Sequence, residues 1–254
     1  IAIRNLIPGP HLAPRFQHAL SSTLFSATLS PPDYHRAMLG LSEDTRVLDV
    51  PSPFAAEQLQ VVIPPGLSTR YQQRADSLSA VAHEITQQCH RQPGNYWVFA
   101  SSYEYLGQIH DAVAAMAPDL TRHRQAPGMT ESERSDFLAH FTEVSQCLGF
   151  AVLGGAFGEG VDLPGRRLIG VFIATLGMPA REPLTELLRA RMDRHNGNGF
   201  DYAYRYPGLQ KVVQAAGRVV RTLSDTGVVF LLDERYRKLE NRQLLPSWWG
   251  LNKR

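Results

Sequence analysis

The sequence predicts an α/β fold with a mostly parallel sheet flanked by helices in three layers. Three observations carry that expectation. Short apolar runs, turns and amphipathic stretches of helical period alternate along the chain, which is the pattern of repeated βαβ units. The runs Tyr96–Ala100, Phe150–Leu153 and Leu168–Ile173 are apolar enough to be central, buried strands. At 254 residues and 43% apolar content, the chain has the material for a proper core, in one large domain or two small ones.

The elements follow in order. Thr23–Phe25 is a candidate strand ending at Ser26, and Val47–Val50 and Leu59–Ile63 are two further short ones. Ser77–Gln88 places Leu78, Val81, Ala82 and Ile85 at helical spacing. After the strand Tyr96–Ala100 comes a helix from about Tyr103 to Ala117, then a possible edge strand, Asp119–His123, and a helix over Glu131–Val144. A Gly-rich turn separates the two strongly apolar runs that follow. Pro183–Met192 reads as a helix and His195–Gly199 as a polar loop. Pro207-Gly208 opens a helix over Leu209–Arg221, and Gly227–Leu232 is the last core strand. The tail with Pro246, Trp248 and Trp249 is expected to pack back onto the body. With no repeat, low-complexity tract or linker, one domain over 1–254 is expected: a connection at 1–22, a core at 23–246 and a tail at 247–254.

Bulk properties exclude several classes. A net charge of +2, from 26 basic and 24 acidic residues, argues against a protein that coats DNA by charge alone, so nucleic-acid contact must rest on a local patch. Cys89 and Cys147 are far apart and lack metal-ligand spacing, which suits buried thiols in a reducing cytoplasm. No run reaches the length of a membrane span, and no signal peptide opens the chain. The chain starts at Ile1 with sequence that already reads as structured, so a piece of a longer polypeptide is expected.

Four strings carry chemistry. In Gln214-Ala-Ala-Gly217-Arg218-Val-Val-Arg221, a helix would project Gln214, Arg218 and Arg221 from one face at i, i+4 and i+7. Its other face would bury Leu209, Val212, Val213, Ala216 and Val220, and Gly217 would admit another backbone. Arginine forks suit phosphate oxygens and can neutralise the charge that builds as a γ-phosphate leaves. The Gly154–Gly165 turn, with Glu159, Gly160 and Asp162, follows a buried strand, where open α/β sheets place ligand loops. It is not a Walker A loop, because no Gly-Lys-Ser/Thr follows. Ser26-Ala27-Thr28 puts two hydroxyls at a strand end, and Ser101-Ser102-Tyr103 brings hydroxyls to the first turn of a helix. The second pair serves equally for phosphate binding or for simple N-capping. Tyr202, Tyr204 and Tyr206 are expected to pack on the sheet rather than to stack on bases, and the histidines show no ligand spacing.

In that order along the chain, from about Leu20 to about Pro246, the four strings match helicase motifs III, IV, V and VI, and the chain resembles the superfamily 2 DNA helicases of the DinG/XPD type. The resemblance implies two RecA-like motor domains with ATP held between them and single-stranded DNA across their surface, moving five-prime to three-prime. It implies that this chain is the second, C-terminal RecA-like motor domain. Arg218 and Arg221 would then be arginine fingers, supported by Gln214. Glu159, Gly160 and Asp162 would meet ATP, Ser101, Ser102 and Tyr103 would meet the DNA backbone, and Ser26 and Thr28 would couple hydrolysis to movement. Partners would be single-stranded DNA and the first motor domain of the same parent polypeptide. The setting would be cytoplasmic and nucleoid-associated, in DNA repair, with no membrane.

The departures are informative. Without Gly-Lys-Ser/Thr or Asp-Glu-Ala-His, ATP and Mg²⁺ would be held mainly by the missing first motor domain, and the isolated chain is expected to be inactive. An iron–sulfur cluster is possible in the parent, but two scattered cysteines cannot hold one here, and no metal site is expected in this chain. Two other classes stand beside the motor. One is a helicase-like module that binds nucleic acid or protein without catalysis. The other is an unrelated α/β enzyme with its pocket at the Gly-rich turn, for which the sequence offers no catalytic residue.

Overall fold

The computed structural model describes residues 4–157 and 162–251. Its elements run α1 (Gly9–Gln17), α2 (Pro32–Leu39), β1 (Leu59–Val62), α3 (Arg74–Arg91), β2 (Tyr96–Ala100), α4 (Tyr103–Met116) and β3 (Thr121–Arg124). Then come α5 (Glu131–Ala139), β4 (Cys147–Val152), β5 (Gly170–Ala174), α6 (Pro183–Asn196), α7 (Tyr206–Ala216), β6 (Gly227–Leu231) and the short α8 (Leu239–Arg242). The chain divides into two compact units, one built from the residues up to 51 together with 178–210, the other from 52–177 and the residues from 211 onward.

The larger unit holds a single six-stranded sheet in the order β1-β6-β5-β2-β4-β3, with every pairing parallel. Parallel strands need cover on both faces, and β2 shows why its run is uniformly apolar. Tyr96, Val98 and Ala100 face one side, where Ile85 of α3 and Leu106 and Ile109 of α4 join them in the core. Trp97 packs on the other side against Phe137 of α5, at 5.5 Å between ring centroids, and against Phe141 at 5.3 Å. Glycines in neighbouring strands make room for these rings. Gly149 pairs with Trp97 in register, and a Cβ there would lie 2.7 Å from the Phe141 ring. Gly170 pairs with Tyr96, and its Cβ would come within 2.8 Å of that ring.

Two buried polar groups tie the strands together. Asn95, fully buried just before β2, donates from Nδ2 to the carbonyls of Thr142 (2.7 Å) and Arg166 (3.0 Å). Its Oδ1 accepts from Ser145 Oγ (2.9 Å) and the Cys147 amide (3.0 Å). One amide therefore joins the segments that lead into β2, β4 and β5. Asp233, also fully buried, follows β6. It accepts from Arg235 Nε and Nη2, both at 2.8 Å, and from the Thr69 amide (2.8 Å) and hydroxyl (2.6 Å). Burial pushes the Asp233 carboxyl up, but the Arg235 fork and Thr69 outweigh it and hold the group below its ordinary value.

In the smaller unit, Gly40 ends α2 in the left-handed conformation (φ +69°), where a Cβ would fall 2.0 Å from the Gly9 carbonyl oxygen. Tyr202 and Tyr206 pack their rings on Tyr34 of α2 at 5.2 and 5.3 Å, and the Tyr204 hydroxyl donates to the Glu186 carboxylate of α6. These tyrosines thus pack, as expected, but on helices of this unit rather than on the sheet.

Several local expectations give way to tertiary context. Thr23–Phe25 and Val47–Val50 form no strand, and Phe25 (90%) and Leu48 (84%) are exposed. β-propensity without a neighbouring strand closes no ladder. The helix over Glu131–Val144 stops at Ala139, while α6 extends to Asn196 and takes in His195. The helix predicted to Arg221 ends at Ala216. Beyond it the Arg218 and Val219 amides turn back to Ala215 and Ala216 in i−3 bonds, so Gln214, Arg218 and Arg221 do not share a helix face. Gly217 meets the Val213 carbonyl of its own helix, 3.2 Å from an added Cβ, rather than another backbone. The tail does pack back, with Trp249 buried and Trp248 at 5.8 Å from Phe54, and Cys89 and Cys147 are buried free thiols.

Asn95→Ala should lower unfolding stability by about 3 kcal/mol in denaturant titration, because it strands several buried partners at once. A second expectation concerns pH. The folded value of Asp233 is depressed, so its contribution is fully present above about pH 4, the unfolded aspartate value, and fades as pH falls through the lower folded value. Asp233→Asn should reduce this acid-side loss, as thermal melts across that range would show.

Candidate nucleotide and nucleic-acid site at the strand ends

Because the strands are all parallel, their C-terminal ends share one edge of the sheet, and the loops from that edge are where open α/β sheets bind ligands. The Leu153 amide donates to the Ala100 carbonyl (2.9 Å), carrying the β2–β4 ladder one step beyond the strands. Gly154 then turns at φ +77°, and a Cβ there would sit 3.1 Å from Lys211 Cδ, so the lysine stem of α7 lies over the turn. Phe157 packs on Phe137 at 4.7 Å, and Leu163 is buried, which pins both flanks of the Gly-rich segment. Glu159 and Gly160 lie outside the described residues. Asp162 is described and exposed.

The second wall is the segment after α7. Gln214 is exposed, Arg218 is buried (7% exposed), and the Arg221 side chain is 40% exposed with Nε 3.7 Å from Asp162 Oδ1. Arg221 is positioned through its backbone. The Asp225 carboxylate accepts from the amides of Arg221 and Thr222, each at 2.8 Å, and from the Thr222 hydroxyl at 2.8 Å. Burial pushes the Asp225 carboxyl up, yet these donors, with the Gly165 amide, hold it below its ordinary value. One carboxylate thus ties down the arginine segment through two successive amides. Gln58 Nε2 secures the same loop through the Asp225 carbonyl (2.8 Å).

Ser101, Ser102 and Tyr103 separate into three roles. Ser102 Oγ accepts from the Tyr105 amide (3.2 Å) and caps α4. Ser101 Oγ accepts from Arg74 Nη2 (2.7 Å). The Tyr103 hydroxyl accepts from Gln125 Nε2 (3.1 Å), while its ring remains 41% exposed. Ser26 and Thr28 belong to the smaller unit, where their hydroxyls are 3.1 Å apart and the Thr28 carbonyl accepts from Gln210 Nε2 (3.4 Å). A cleft of about 880 Å³ in that unit is lined by Asp33, Arg36, Arg191 and His195, among others, and by none of the predicted site residues.

The structure therefore brings the Gly-rich segment and the arginine segment together. Asp225, Lys211, Arg74 and Gln125 escaped the sequence reading. The spacing Thr222-Leu-Ser-Asp225 carried a local signal of a hydroxyl-and-carboxylate turn, whereas the other three act across long sequence separations and left none.

Fold and site define a parallel α/β domain with phosphate-suited groups at its strand ends. Residues 85–252 match the helicase C-terminal domain family, and the chain belongs to that family. Over 231 residues it is 25% identical to the ATP-dependent DNA helicase XPD of Sulfolobus acidocaldarius, covering 87% of this chain and 40% of that protein. Over 249 residues it is 29% identical to the 3'-5' exonuclease DinG of Bacillus subtilis, covering 93% of this chain and 26% of that protein. A solved XPD helicase structure matches with a TM-score of 0.73 at 21% identity, over 94% of this chain and 44% of its own, and the fold is RecA-like. The chain spans less than half the length of these relatives. Among the described residues, no helix is long and apolar enough to cross a membrane.

Asp225→Ala should speed hydrogen exchange at the Arg221 and Thr222 amides about tenfold, given roughly 1–2 kcal/mol for such a cap. Unchanged protection at both amides would rule out the carboxylate as the latch.

Proposed function

We propose that residues 1–254 act as the second motor domain of a DinG/XPD-type ATP-dependent DNA helicase, completing an ATP site whose other wall belongs to a first motor domain of the same polypeptide. The observation that carries this reading is the approach of Arg221 to Asp162 at the C-terminal edge of a parallel sheet. An ion pair this exposed is worth about 0–1 kcal/mol by itself. Arg221 would meet charge that develops on the γ-phosphate. Arg218 would act beside it from its buried position, and Gln214 would support the nucleotide. Asp162, with Glu159 and Gly160, would approach the nucleotide from the Gly-rich side.

The donor set fits the outer face of a triphosphate and does not fit a complete cradle for it, since no Gly-Lys-Ser/Thr loop is present to hold Mg²⁺. When bound, the metal would supply charge neutralisation from the first motor domain. The two cysteines do not fit an iron–sulfur cluster, being single buried thiols on α3 and β4. Ser101 and Tyr103 would line a single-stranded DNA track with Ser102 holding the helix behind them, and Ser26 and Thr28 would couple hydrolysis to movement.

In a polypeptide that carries both motor domains, Arg221→Ala should cut DNA-stimulated ATP hydrolysis by about a thousandfold while single-strand affinity changes only a few-fold. Arg221→Lys should not restore it, because an ammonium lacks the planar fork. Wild-type turnover in Arg221→Ala would end the assignment. The isolated chain should show no ATP hydrolysis above background.

A further inference from the structure

We propose that Tyr71 and Tyr103, with Arg74 and Ser101 between them, form a stacking platform that takes unpaired bases of single-stranded DNA, with Arg70 on the strand's phosphates. The inference rests on the strand-track reading above and extends it to residues on another element. Tyr71 is 78% exposed, which leaves its ring open to a stacking partner. The Arg74 guanidinium lies over it at 5.6 Å from the centroid and over the buried Tyr105 ring at 4.6 Å. The same guanidinium donates to Ser101 Oγ at 2.7 Å. Arg74 thereby bridges the exposed Tyr71 ring to the strand end that carries Ser101 and Tyr103.

The platform is rigid before any ligand arrives. Thr69, two residues before Tyr71, is held through its amide and hydroxyl by the buried Asp233, and its carbonyl accepts from Arg74 Nε (3.0 Å). Gln125 fixes the hydroxyl of Tyr103, so that ring too is anchored at one end and open along its body. Because Ser101 Oγ accepts from Arg74, its own hydrogen remains for an outside acceptor such as a phosphate oxygen. Exposed rings interleaved with arginine and a hydroxyl are the chemistry of sequence-tolerant single-strand binding. Asp76 and Glu104 stand on the adjoining helix turns, so ring stacking, more than net charge, must supply the affinity here.

The test is fluorescence anisotropy of a labelled oligothymidylate and of a matched abasic strand, titrated with the whole chain at low salt. Tyr71→Ala and Tyr71→Leu should each weaken oligothymidylate binding about tenfold. Tyr71→Phe should bind like the parent, and all four proteins should bind the abasic strand equally. Arg70→Ala should reduce the salt slope by about 0.7, one phosphate's share on a single strand, while Tyr71→Ala leaves the slope unchanged. If the parent binds oligothymidylate and Tyr71→Ala binds it equally, or weakens equally on both strands, the platform is wrong and the strand track stands. If the parent binds neither strand, the strand track itself fails and the platform with it.

Discussion

A parallel sheet transmits position from one edge to the other, and in this protein the transmitting constraint is set by the side chain of Asn95. Its amide uses all its ordinary valences on the segments entering β2, β4 and β5. Each strand residue advances about 3.3 Å, and a slip of one residue would also turn every side chain to the opposite face. Fixing the entries therefore fixes the exits. Ala100 lies level with Val152 on one side and with Ala174 on the other. The segments that begin at Ser101, Leu153 and Thr175 consequently start at a common height. A site assembled from loops of separate strands needs that common height more than it needs any one loop conformation.

Above that edge the two arginines differ physically. Arg218 is buried, and a buried guanidinium is costly to move once placed. Arg221 is partly exposed, and its Nε lies 3.7 Å from the exposed carboxylate of Asp162. The Asp225 carboxylate holds the backbone of Arg221 through its amide.

How much of this was legible in the sequence depended on how local the cause was. Consecutive apolar residues at Tyr96–Ala100 announced a strand buried on both faces, and the sheet bears that out. Thr23–Phe25 and Val47–Val50 carried similar residues, but strand formation needs a partner, which sequence periodicity does not register. Helical periodicity through Val220 likewise ran on past Ala216. There the carboxylate of Asp225 captures the amides that a continuing helix would have used within itself, a competition invisible to a face-by-face reading. At the head of α4 the sequence left capping and phosphate binding equally open. The structure gives Ser102 the cap and leaves Ser101 to Arg74, a partner 27 residues away. The two arginines were found by their spacing, while their different burial was not.

Gln125 shows what such long-range partners add. It is buried, and its Nε2 holds the Tyr103 hydroxyl while its Oε1 accepts from the Val152 amide at 2.8 Å. Its own amide donates to the Phe150 carbonyl at 2.9 Å. One side chain from the end of β3 therefore connects an exposed ring at the head of α4 to the last residue of β4, two residues before the Gly154 turn. Both of its side-chain bonds are half-buried, where losing a partner costs more than at the surface. A movement of the turn that drew Val152 away would have to release Gln125 or pull the Tyr103 ring with it. The strand-end edge is thus a set of shared polar groups, with Asp225 holding the arginine wall of the proposed nucleotide site and Gln125 joining the other wall to the surface proposed to meet DNA.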